Sequence, residues 1–416
     1  MSPDIQYFNK PMMYGNALIT SSNLTYTPPN VYSNTPMEYS NGGGMISMEY
    51  IPSPIGFNNG RYGAMTIANN GIIYCMSYKL APMNMIKIDP TTNIITTFYS
   101  GGFPAGGSSV RRSILSPTGT IIYIPTFGTA IIELNVDTET LSTFGTVAAG
   151  NNKTNGGVLA PNGKIYCSPY STTSIIVIDP FTRTTYTFGS FGGGNKWSGA
   201  ILAPNGKIYC PPYADSRVLV IDPSNDTFYY LKDNINDLAK GQSTAKYWNG
   251  TLAYDGKIYC TGYGALNTLV IDPETDTCTS FPPIGNRLGS LFPTTGILAS
   301  NGKMYGNAYS TFTGLSSNVD NSRIREFDPY TKLYSSIGIP EKLNDVIMSS
   351  SGASPWPYGG VCMAPNGKIY FSAGGCNFFA IVSGLPPALP EMWQVPKDLS
   401  KLPTSLFNYH SNGNGI

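Results

Sequence analysis

Residues 156–189 read GGVLAPNGKIYCSPYSTTSIIVIDPFTRTTYTFG, and this stretch decides the fold because similar stretches recur along the chain. One copy, GAILAPNGKIYCPPYADSRVLVIDPSNDTFYYL, begins at Gly199, and another, TLAYDGKIYCTGYGALNTLVIDPETDTCTSF, begins at Thr251. Weaker copies begin near Ala64, Arg112, Thr295 and Gly360. A unit of this length that recurs seven times indicates a repeat architecture.

Each copy contains an Asn-Gly pair, or an equivalent pair, between apolar residues that alternate with polar ones. This is a strong hairpin signal, and it predicts a type I′ turn, in which both central residues have positive φ. The seven pairs are Asn70-Gly71, Thr118-Gly119, Asn162-Gly163, Asn205-Gly206, Asp255-Gly256, Asn301-Gly302 and Asn366-Gly367. Seven turns predict seven blades.

A second turn signal follows each of the first six hairpins, as in Asp179-Pro180. The Asp side chain can cap its own turn, and Pro cannot donate to a strand ladder, so the third strand of the unit ends there. A fourth strand such as TRTTYTFG then completes the unit. Four strands per repeat predict an all-β fold, a seven-bladed β-propeller of four-stranded antiparallel blades with extended N- and C-terminal arms.

The seventh copy has no Asp-Pro turn and continues into a proline-rich stretch. The sequence therefore predicts that residues 45–51 (MISMEYI) supply its closing strand, with residues 392–395 (MWQV) as the rival donor. The predicted domains are an N-terminal arm over residues 1–44, a propeller over 45–385 and a C-terminal tail over 386–416. The arm is rich in aromatic residues and poor in charge, which favours docking on a neighbouring chain over a loose tail.

Composition excludes several classes of function. Charged residues make up 12% of the chain and the formal net charge is +1, so bulk charge gives no attraction to nucleic acid or to anionic membranes. The N-terminus lacks the pattern of a secretory signal, and no apolar run reaches about 18 residues. We therefore expect synthesis in a cytoplasm and no membrane insertion.

Four of the seven cysteines, Cys75, Cys167, Cys210 and Cys260, occupy one repeat position and are predicted to be small buried hydrophobic residues rather than metal ligands or disulfides. The only histidine is His410. No catalytic motif, metal site or cofactor site is predicted, and recurrent turn carboxylates such as Asp179 are better explained by geometry than by catalysis.

The consensus LAPNGKIYC, VLVIDP and TFG resembles the NHL-type and streptogramin-lyase-like propeller repeats, over about residues 56–385. It is also similar to uncharacterised propellers encoded by large DNA viruses and tailed phages. The resemblance implies the fold. The histidine and magnesium chemistry of the streptogramin lyases is not carried over, because this chain has no histidine inside the propeller.

One repeat column, nine residues before the first residue of each turn pair, is rich in basic residues. It reads Arg61, Ser109, Lys153, Lys196, Lys246, Phe292 and Pro357, and the aromatic residues Trp197, Tyr247 and Trp248 stand beside it. A basic ring with aromatic neighbours on the face of longer loops could bind an anionic or sugar ligand. The alternative is that these are solvated loop lysines and packing aromatic residues.

Lysine and tyrosine recur in two further repeat columns. The lysines after the turns, Lys164, Lys207, Lys257, Lys303 and Lys368, are interpreted as solubilising turn residues. The tyrosines that end the second strand, Tyr78, Tyr170, Tyr213, Tyr263 and Tyr309, are interpreted as packing between blades rather than as a contact ring.

The sequence is compatible with three functions. The first hypothesis is a non-enzymatic structural or adhesive virion component, oligomeric or part of an assembly, whose propeller binds a receptor or cell-surface glycan and whose arm docks on other virion proteins. The second is a lyase or polysaccharide-active enzyme, and the third is a soluble carbohydrate-binding lectin. A fold does not by itself decide among them.

Overall fold

The computed structural model describes residues 12–14, 17–19, 46–54, 61–78, 83–104, 110–239, 244–282, 293–308, 324–337, 358–373 and 378–387. Seven four-stranded sheets and one two-stranded hairpin lie within these residues. The innermost strands of successive sheets contact one another around a closed cycle, so the sheets are blades arranged about a central axis. The predicted seven-bladed β-propeller with four-stranded antiparallel blades is confirmed.

The first two strands in the chain form the separate hairpin, β1 (Met12–Tyr14) and β2 (Ala17–Ile19), and β3 is Ser47–Pro52. Blade 1 contains β4 (Arg61–Ile67), β5 (Ile73–Tyr78), β6 (Met83–Asp89) and β7 (Ile94–Gly101). Blade 2 contains β8 (Val110–Leu115), β9 (Ile121–Pro125), β10 (Ile131–Asn135) and β11 (Thr140–Phe144). Blade 3 contains β12 (Thr154–Leu159), β13 (Ile165–Pro169), β14 (Ile175–Asp179) and β15 (Thr184–Phe188).

Blade 4 contains β16 (Ile201–Leu202), β17 (Ile208–Cys210), β18 (Leu219–Asp222) and β19 (Thr227–Tyr230). A short helix, α1 (Ile235–Leu238), follows, and blade 5 contains β20 (Thr251–Leu252), β21 (Ile258–Cys260), β22 (Thr268–Asp272) and β23 (Thr277–Phe281). Blade 6 contains β24 (Pro293–Leu298), β25 (Met304–Ala308), β26 (Ile324–Asp328) and β27 (Leu333–Ile337). Blade 7 contains β28 (Tyr358–Met363), β29 (Ile369–Ala373), β30 (Phe378–Ser383) and, on its outer edge, β3.

The ring is closed by pairing between distant parts of the chain. Strand β3 lies antiparallel to β30, with Ser47 opposite Ser383 and Pro52 opposite Phe378. It overlaps the stretch 45–51 that the sequence suggested as the closing strand, whereas the rival stretch 392–395 lies outside the described residues. Most of residues 1–44 and 388–416 also lie outside them, so the docking role of the arm stays a prediction.

The turn between the first and second strands differs from the predicted type I′. In blade 3 the Gly163 N–H donates to the Ala160 carbonyl at 2.9 Å and the Ala160 N–H donates to the Lys164 carbonyl at 2.8 Å. Gly163 has a φ of +81°, whereas Asn162 is not among the residues with positive φ. The loop therefore has three residues, with Pro161 and Asn162 at the centre of a type I turn and Gly163 in the left-handed conformation. Pro161 favours this turn because its ring fixes φ.

The turn between the third and fourth strands forms as expected. The Asp179 Oδ1 atom accepts the backbone N–H groups of Phe181 at 2.9 Å and Thr182 at 3.1 Å, so the Asp side chain caps its own turn. Asp222 and Asp328 accept equivalent bonds. These contacts confirm the predicted structural role of the recurrent aspartates.

The turns between the first and second strands and between the third and fourth strands lie on one face of the propeller, which we call the turn-bearing face. Side chains on this face join neighbouring blades. The Tyr166 hydroxyl of blade 3 donates to Asp226 Oδ1 of blade 4 at 2.6 Å, and the Asn162 amide donates to the Pro223 carbonyl at 2.8 Å. The Tyr186 hydroxyl donates to Asp226 Oδ2 at 2.7 Å, so both carboxylate oxygens are used. We call this arrangement the inter-blade clasp.

The carboxylate in this clasp occupies a left-handed position, with φ of +56° at Asp226. The equivalent turn residue in other blades also has positive φ and also reaches back to the preceding blade. Asn93 and Asp276 accept hydrogen bonds from the hydroxyls of Tyr370 and Tyr209. Glu139 forms an ion pair with Lys87, and Arg183 forms one with Glu133. The Lys332 ammonium group lies over the Phe281 ring. The position is therefore a recurring joint whose chemistry changes from blade to blade.

Apolar side chains of the first three strands fill the spaces between blades, whereas fourth strands such as β15 alternate between exposed and half-buried residues. The cysteines Cys75, Cys167, Cys210 and Cys260 are free and fully buried, which confirms the sequence prediction. Of the helices in the described part of the chain, none has the length and apolar character needed to cross a membrane.

Candidate functional site

The innermost strands share an irregularity that determines which side chains reach the axis. In blade 3 Thr154 pairs with Pro169 and Gly157 pairs with Cys167, so two residues, Asn155 and Gly156, oppose one. Such a bulge turns the strand and redirects its side chains. Register shifts at the equivalent place follow Tyr62, Val110, Pro293 and Tyr358, and isolated bridges at Trp197 and Tyr247 precede β16 and β20 in the same way.

Bulge residues from neighbouring blades touch one another around the axis. A β-carbon built on Gly156 would lie 3.1 Å from the Gly199 Cα and 3.3 Å from Nη1 of Arg112. The Asn155 amide donates to the Ser198 Oγ at 2.6 Å, and the Ser198 hydroxyl in turn donates to the Trp248 carbonyl. We call Arg112, Asn155, Gly156, Ser198 and Gly199, together with Asn249, the axial ring.

Aromatic side chains cover the axial ring on the face of the longer loops. The Trp248 ring centroid lies 5.1 Å from that of Tyr263, 5.6 Å from that of Tyr213 and 6.0 Å from that of Tyr170. Tyr170 and Trp248 are buried, whereas Tyr213 and Tyr263 are half-buried and reach the surface. These four residues, from blades 3, 4 and 5, form what we call the aromatic mouth.

A basic residue completes this surface from the other side of the axis. The Arg111 Cζ atom lies 6.0 Å from the Trp248 ring centroid and 6.0 Å from the Phe127 ring centroid. Arg111 belongs to blade 2 and Trp248 to blade 5, so the contact crosses the axis. A half-buried guanidinium beside aromatic faces provides hydrogen-bond donors next to stacking surfaces.

The lysines of the predicted basic column are buried, and they bind backbone carbonyls. Lys196 Nζ donates to the Thr172 carbonyl at 3.1 Å and to the Gly194 carbonyl at 3.0 Å. Lys246 Nζ donates to the Asp215 carbonyl at 3.1 Å, and Lys153 Nζ to the Gly128 carbonyl at 2.5 Å. The carbonyls of Thr172, Asp215 and Gly128 lie in loops of the preceding blade, so the lysines connect blades, whereas Gly194 lies in the segment that joins blades 3 and 4.

The backbone of each lysine strengthens the same connection. The Lys196 N–H donates to the Tyr170 carbonyl of blade 3 at 2.8 Å, and its own carbonyl accepts the Tyr213 N–H at 2.7 Å. Burial lowers the pKa of Lys153, Lys196 and Lys246 from its usual value, and for the last two Asp215 partly offsets that effect. The ammonium groups lie among carbonyl acceptors, and the interpretation as solvated loop lysines is wrong for these three.

The other predicted site residues are distributed differently. Trp197 is 1% exposed and its indole N–H donates to the Arg217 carbonyl at 2.8 Å, and Tyr247 is 0% exposed with its hydroxyl bonded to Asn267. Of the predicted residues whose side chains the structure describes, Trp248 alone joins the aromatic mouth. The Arg61 side chain lies outside the described part of the chain, as do Ser109, Phe292 and Pro357.

Sequence reasoning missed Arg111 and Phe127, and it treated Tyr170, Tyr213 and Tyr263 as packing residues. Tyr170 does pack between blades, because it is 4% exposed and lies 5.2 Å, centroid to centroid, from Tyr213. The missing signal lies two residues after the basic column, where Arg111 and Trp248 both occur. The bulge directs that position, and not the lysine position, toward the axis.

Lysines of the turn column support the inter-blade clasp. Lys164 Nζ donates to the Tyr186 hydroxyl at 3.1 Å and lies 4.9 Å from the ring centroid, and Lys207 contacts Tyr229 in the same way.

The described residues contain no group of three or more His, Cys, Asp or Glu side chains placed to hold a metal ion.

A separate groove of about 550 Å³ lies on the turn-bearing face between blades 1 and 2. Lys87, Asp89, Asp137 and Glu139 line it, together with the Tyr74 ring. Lys87 and Glu139 form an ion pair, so two of its charged groups already neutralise each other.

Comparison with solved structures shows the same fold at low sequence identity. Virginiamycin B lyase from Staphylococcus aureus superposes with a TM-score of 0.62 at 12% identity, covering 82% of this chain and 99% of the lyase chain. A catalytically inactive histidine-to-alanine form of that lyase with quinupristin gives a TM-score of 0.61 at 13% identity, over 82% of this chain and 99% of that one. These superpositions show the fold alone, because identity at this level carries no activity to this chain.

Proteins with different functions superpose nearly as well. A fungal alcohol oxidase of the AA5 family, in complex with copper, gives a TM-score of 0.56 at 13% identity, over 84% of this chain and 79% of that one. The extracellular domain of a hybrid two-component system from B. thetaiotaomicron gives 0.53 at 12% identity, over 82% and 42%. No family model matches the chain, and no curated protein sequence matches it.

Proposed function

We propose that this chain is a non-enzymatic binding propeller whose aromatic mouth holds a carbohydrate. One observation carries the proposal: Tyr213 and Tyr263 present half-buried rings around Trp248, and the Arg111 guanidinium lies across the axis from them. Apolar faces of sugar rings stack on phenol and indole rings, and guanidinium N–H groups bond sugar hydroxyls or carboxylates.

The rigidity of this surface supports a binding role. Trp248 is fixed from below, because its carbonyl accepts the Ser198 hydroxyl, and from the sides by three tyrosine rings. The lysine connections hold the loops that carry Tyr213 and Tyr263. Rigid aromatic groups lose little conformational entropy when a ligand binds, which favours affinity.

In its wider setting, the chain acts in this proposal as an attachment component of a virus particle. The similarity of the repeat to virus-encoded propellers and the low charge of the chain support this part of the proposal. The propeller presents the aromatic mouth to a cell-surface glycan, and residues 1–44 dock on a neighbouring virion protein. A structure of the native assembly that shows residues 1–44 against another chain would support this, and a free monomer would contradict it.

Ligand binding is tested with an oligosaccharide panel, using quenching of tryptophan fluorescence as the first readout and calorimetry as the second. We expect Tyr213→Ala and Tyr263→Ala each to weaken binding at least tenfold, because stacked rings carry much of such affinities. Tyr330→Ala is the matched control, since Tyr330 is 69% exposed on the turn-bearing face. Equal affinity in all three variants would contradict the proposed site.

The ligand experiment and the structure of the native assembly together separate the alternatives. An enzyme that acts on polysaccharides would convert the bound oligosaccharide, which chromatography of the recovered ligand detects. A soluble lectin would bind without converting the ligand and would show no association of residues 1–44 with a partner chain. Unchanged ligand together with a docked arm is the result expected for an attachment protein.

A further inference from the structure

A buried arginine in the axial ring lies beneath the aromatic mouth. Arg112 occupies the bulge of β8 and is 2% exposed. Its guanidinium lies against Gly156 of blade 3, where a β-carbon would be 3.3 Å from Nη1 and 3.4 Å from Cζ. The guanidinium fits here because Gly156 has no side chain.

Two nitrogens of this group, Nε and Nη2, are buried and have no hydrogen-bond partner among the described residues. Their N–H bonds point from the same edge of the planar guanidinium, the edge that binds carboxylates and other anions in a bidentate manner. A buried donor without an acceptor is costly, and a pair of such donors on one edge is more costly still.

The positive charge of Arg112 has no compensation in the described part of the chain. None of the ion pairs there includes Arg112, and its sequence neighbour Arg111 adds a charge of the same sign. Burial, together with Arg111, lowers the pKa of Arg112 to about 9, so the group is still charged at neutral pH. An uncompensated buried charge is rare in proteins because desolvation strongly disfavours it.

The polar side chains of the neighbouring inner strands are neutral, and several of them bond to one another. The Thr66 and Ser113 hydroxyls lie 2.5 Å apart, and Asn155 donates to Ser198 at 2.6 Å. Hydroxyl and amide groups of this kind can orient N–H or O–H bonds toward an anion without contributing negative charge.

We propose that the Nε and Nη2 edge of Arg112 holds a small anion in the axial ring, beneath the aromatic mouth. Burial and the close approach of Gly156 favour a compact species, and chloride is the probe. This anion compensates the buried charge and fixes the bulge of blade 2, from which Arg111 extends to the mouth. The proposal is independent of whether the mouth binds a carbohydrate.

The test measures the melting temperature of the full chain as chloride replaces methanesulfonate at constant ionic strength. The wild-type protein should show a saturable rise of about 2 °C or more, because a ligand that binds only the native state stabilises it. Arg112→Met should abolish this dependence. Arg183→Met is the matched control, since Arg183 pairs with Glu133 and is exposed, and it should respond to chloride like the wild type.

A second measurement does not depend on the folding of the variant. Crystals of the wild-type protein soaked in bromide should show an anomalous peak within hydrogen-bond distance of Arg112 Nε and Nη2. The alternative is a water molecule that joins Arg112 to the Asn155 Oδ1 atom, which also has no partner in the described residues. Equal chloride responses in wild type and Arg112→Met, or water alone at Arg112, would overturn the proposal.

Discussion

The hydroxyl of Tyr209 in blade 4 donates a 2.5 Å hydrogen bond to the carboxylate of Asp276 in blade 5, 67 residues further along the chain. Tyr229 donates to the other oxygen of the same carboxylate at 2.6 Å. Asp276 has a φ of +54°, so a left-handed turn residue brings the charge to the joint between blades. The contact links the stability of one blade to the turn of the next.

Removing this contact should destabilise the fold. We expect Tyr209→Phe to lower the free energy of unfolding by roughly 1–3 kcal/mol, because it removes a buried hydrogen bond to a charged acceptor. Urea unfolding followed by tyrosine and tryptophan fluorescence measures the change. Tyr330→Phe, at an exposed position, is the control and should leave the urea midpoint unchanged.

Alkaline pH should weaken the same joint. Burial and the Asp276 carboxylate raise the pKa of Tyr209, whereas an unfolded tyrosine ionises near pH 10. The folded state therefore keeps a proton that the unfolded state loses, and the stability from this group declines as pH rises above about 10. The wild type should lose stability relative to Tyr209→Phe by at most about 1.4 kcal/mol per pH unit. Parallel stability curves from pH 8 to 11 would contradict this.

Two glycines with nearly equal φ should respond differently to alanine. Gly199 has φ +84° and a β-carbon there would be 2.1 Å from the Asn249 Oδ1 atom, whereas Gly206 has φ +79° and nothing within 4 Å. Gly206→Ala should cost about 1–2 kcal/mol from backbone strain alone. Gly199→Ala should cost clearly more, because the axial ring must also move. Equal losses of unfolding free energy for the two variants, measured by chemical denaturation, would contradict this prediction, because the axial ring would then accommodate the added methyl group without cost.

The closing strand should be required for a complete seventh blade. A chain that begins at residue 46 retains β3, and one that begins at residue 55 lacks it and exposes the edge of β30. Met48 packs against the apolar cluster of blades 6 and 7, so the shorter chain also loses buried apolar surface. We expect faster hydrogen exchange in β30 and a lower melting temperature for the shorter chain only. Equal exchange in both chains would rule out a stabilising role for β3.

Ligand binding should depend on the aromatic mouth and not on the lysine column. Lys196→Met removes the ammonium bonds to the Thr172 and Gly194 carbonyls but keeps the backbone bonds of residue 196 to Tyr170 and Tyr213, which hold the loop, so oligosaccharide affinity should stay within about twofold of the wild type. Tyr213→Ala should reduce it at least tenfold. A large loss with Lys196→Met, in a variant whose circular dichroism is unchanged, would restore the basic column as the site.

The blades could be predicted because the repeat expresses local chemistry. Apolar alternation, the glycine after Asn162 and the aspartate at Asp179 each specify a strand or a turn within a few residues. The turn type was mistaken because Pro161 and Gly163 together favour a three-residue loop, which the Asn-Gly pair alone does not distinguish from type I′.

The site was harder to predict because it depends on geometry across blades. The column of lysines looked exposed, yet the loops of the preceding blade fold over it and supply carbonyl acceptors. Because the inner strand bulges, the side chain that reaches the axis in blade 5 is that of Trp248 and not that of Lys246, two residues earlier. No local sequence pattern indicates this shift. Contact between Arg111 and Trp248 depends on ring closure, which brings blades 2 and 5 across the axis.

Closure by β3 also has a consequence during synthesis. The Ser383 hydroxyl and the Glu49 carboxylate, which face each other in the closed blade, are 334 residues apart. At a ribosomal rate of about 5–20 residues per second, β3 is made roughly 17–67 s before its partner strand. For that interval the nascent chain carries an unpaired strand edge, and its exposed Ser47 and Glu49 side chains help keep that edge from recruiting other nascent chains.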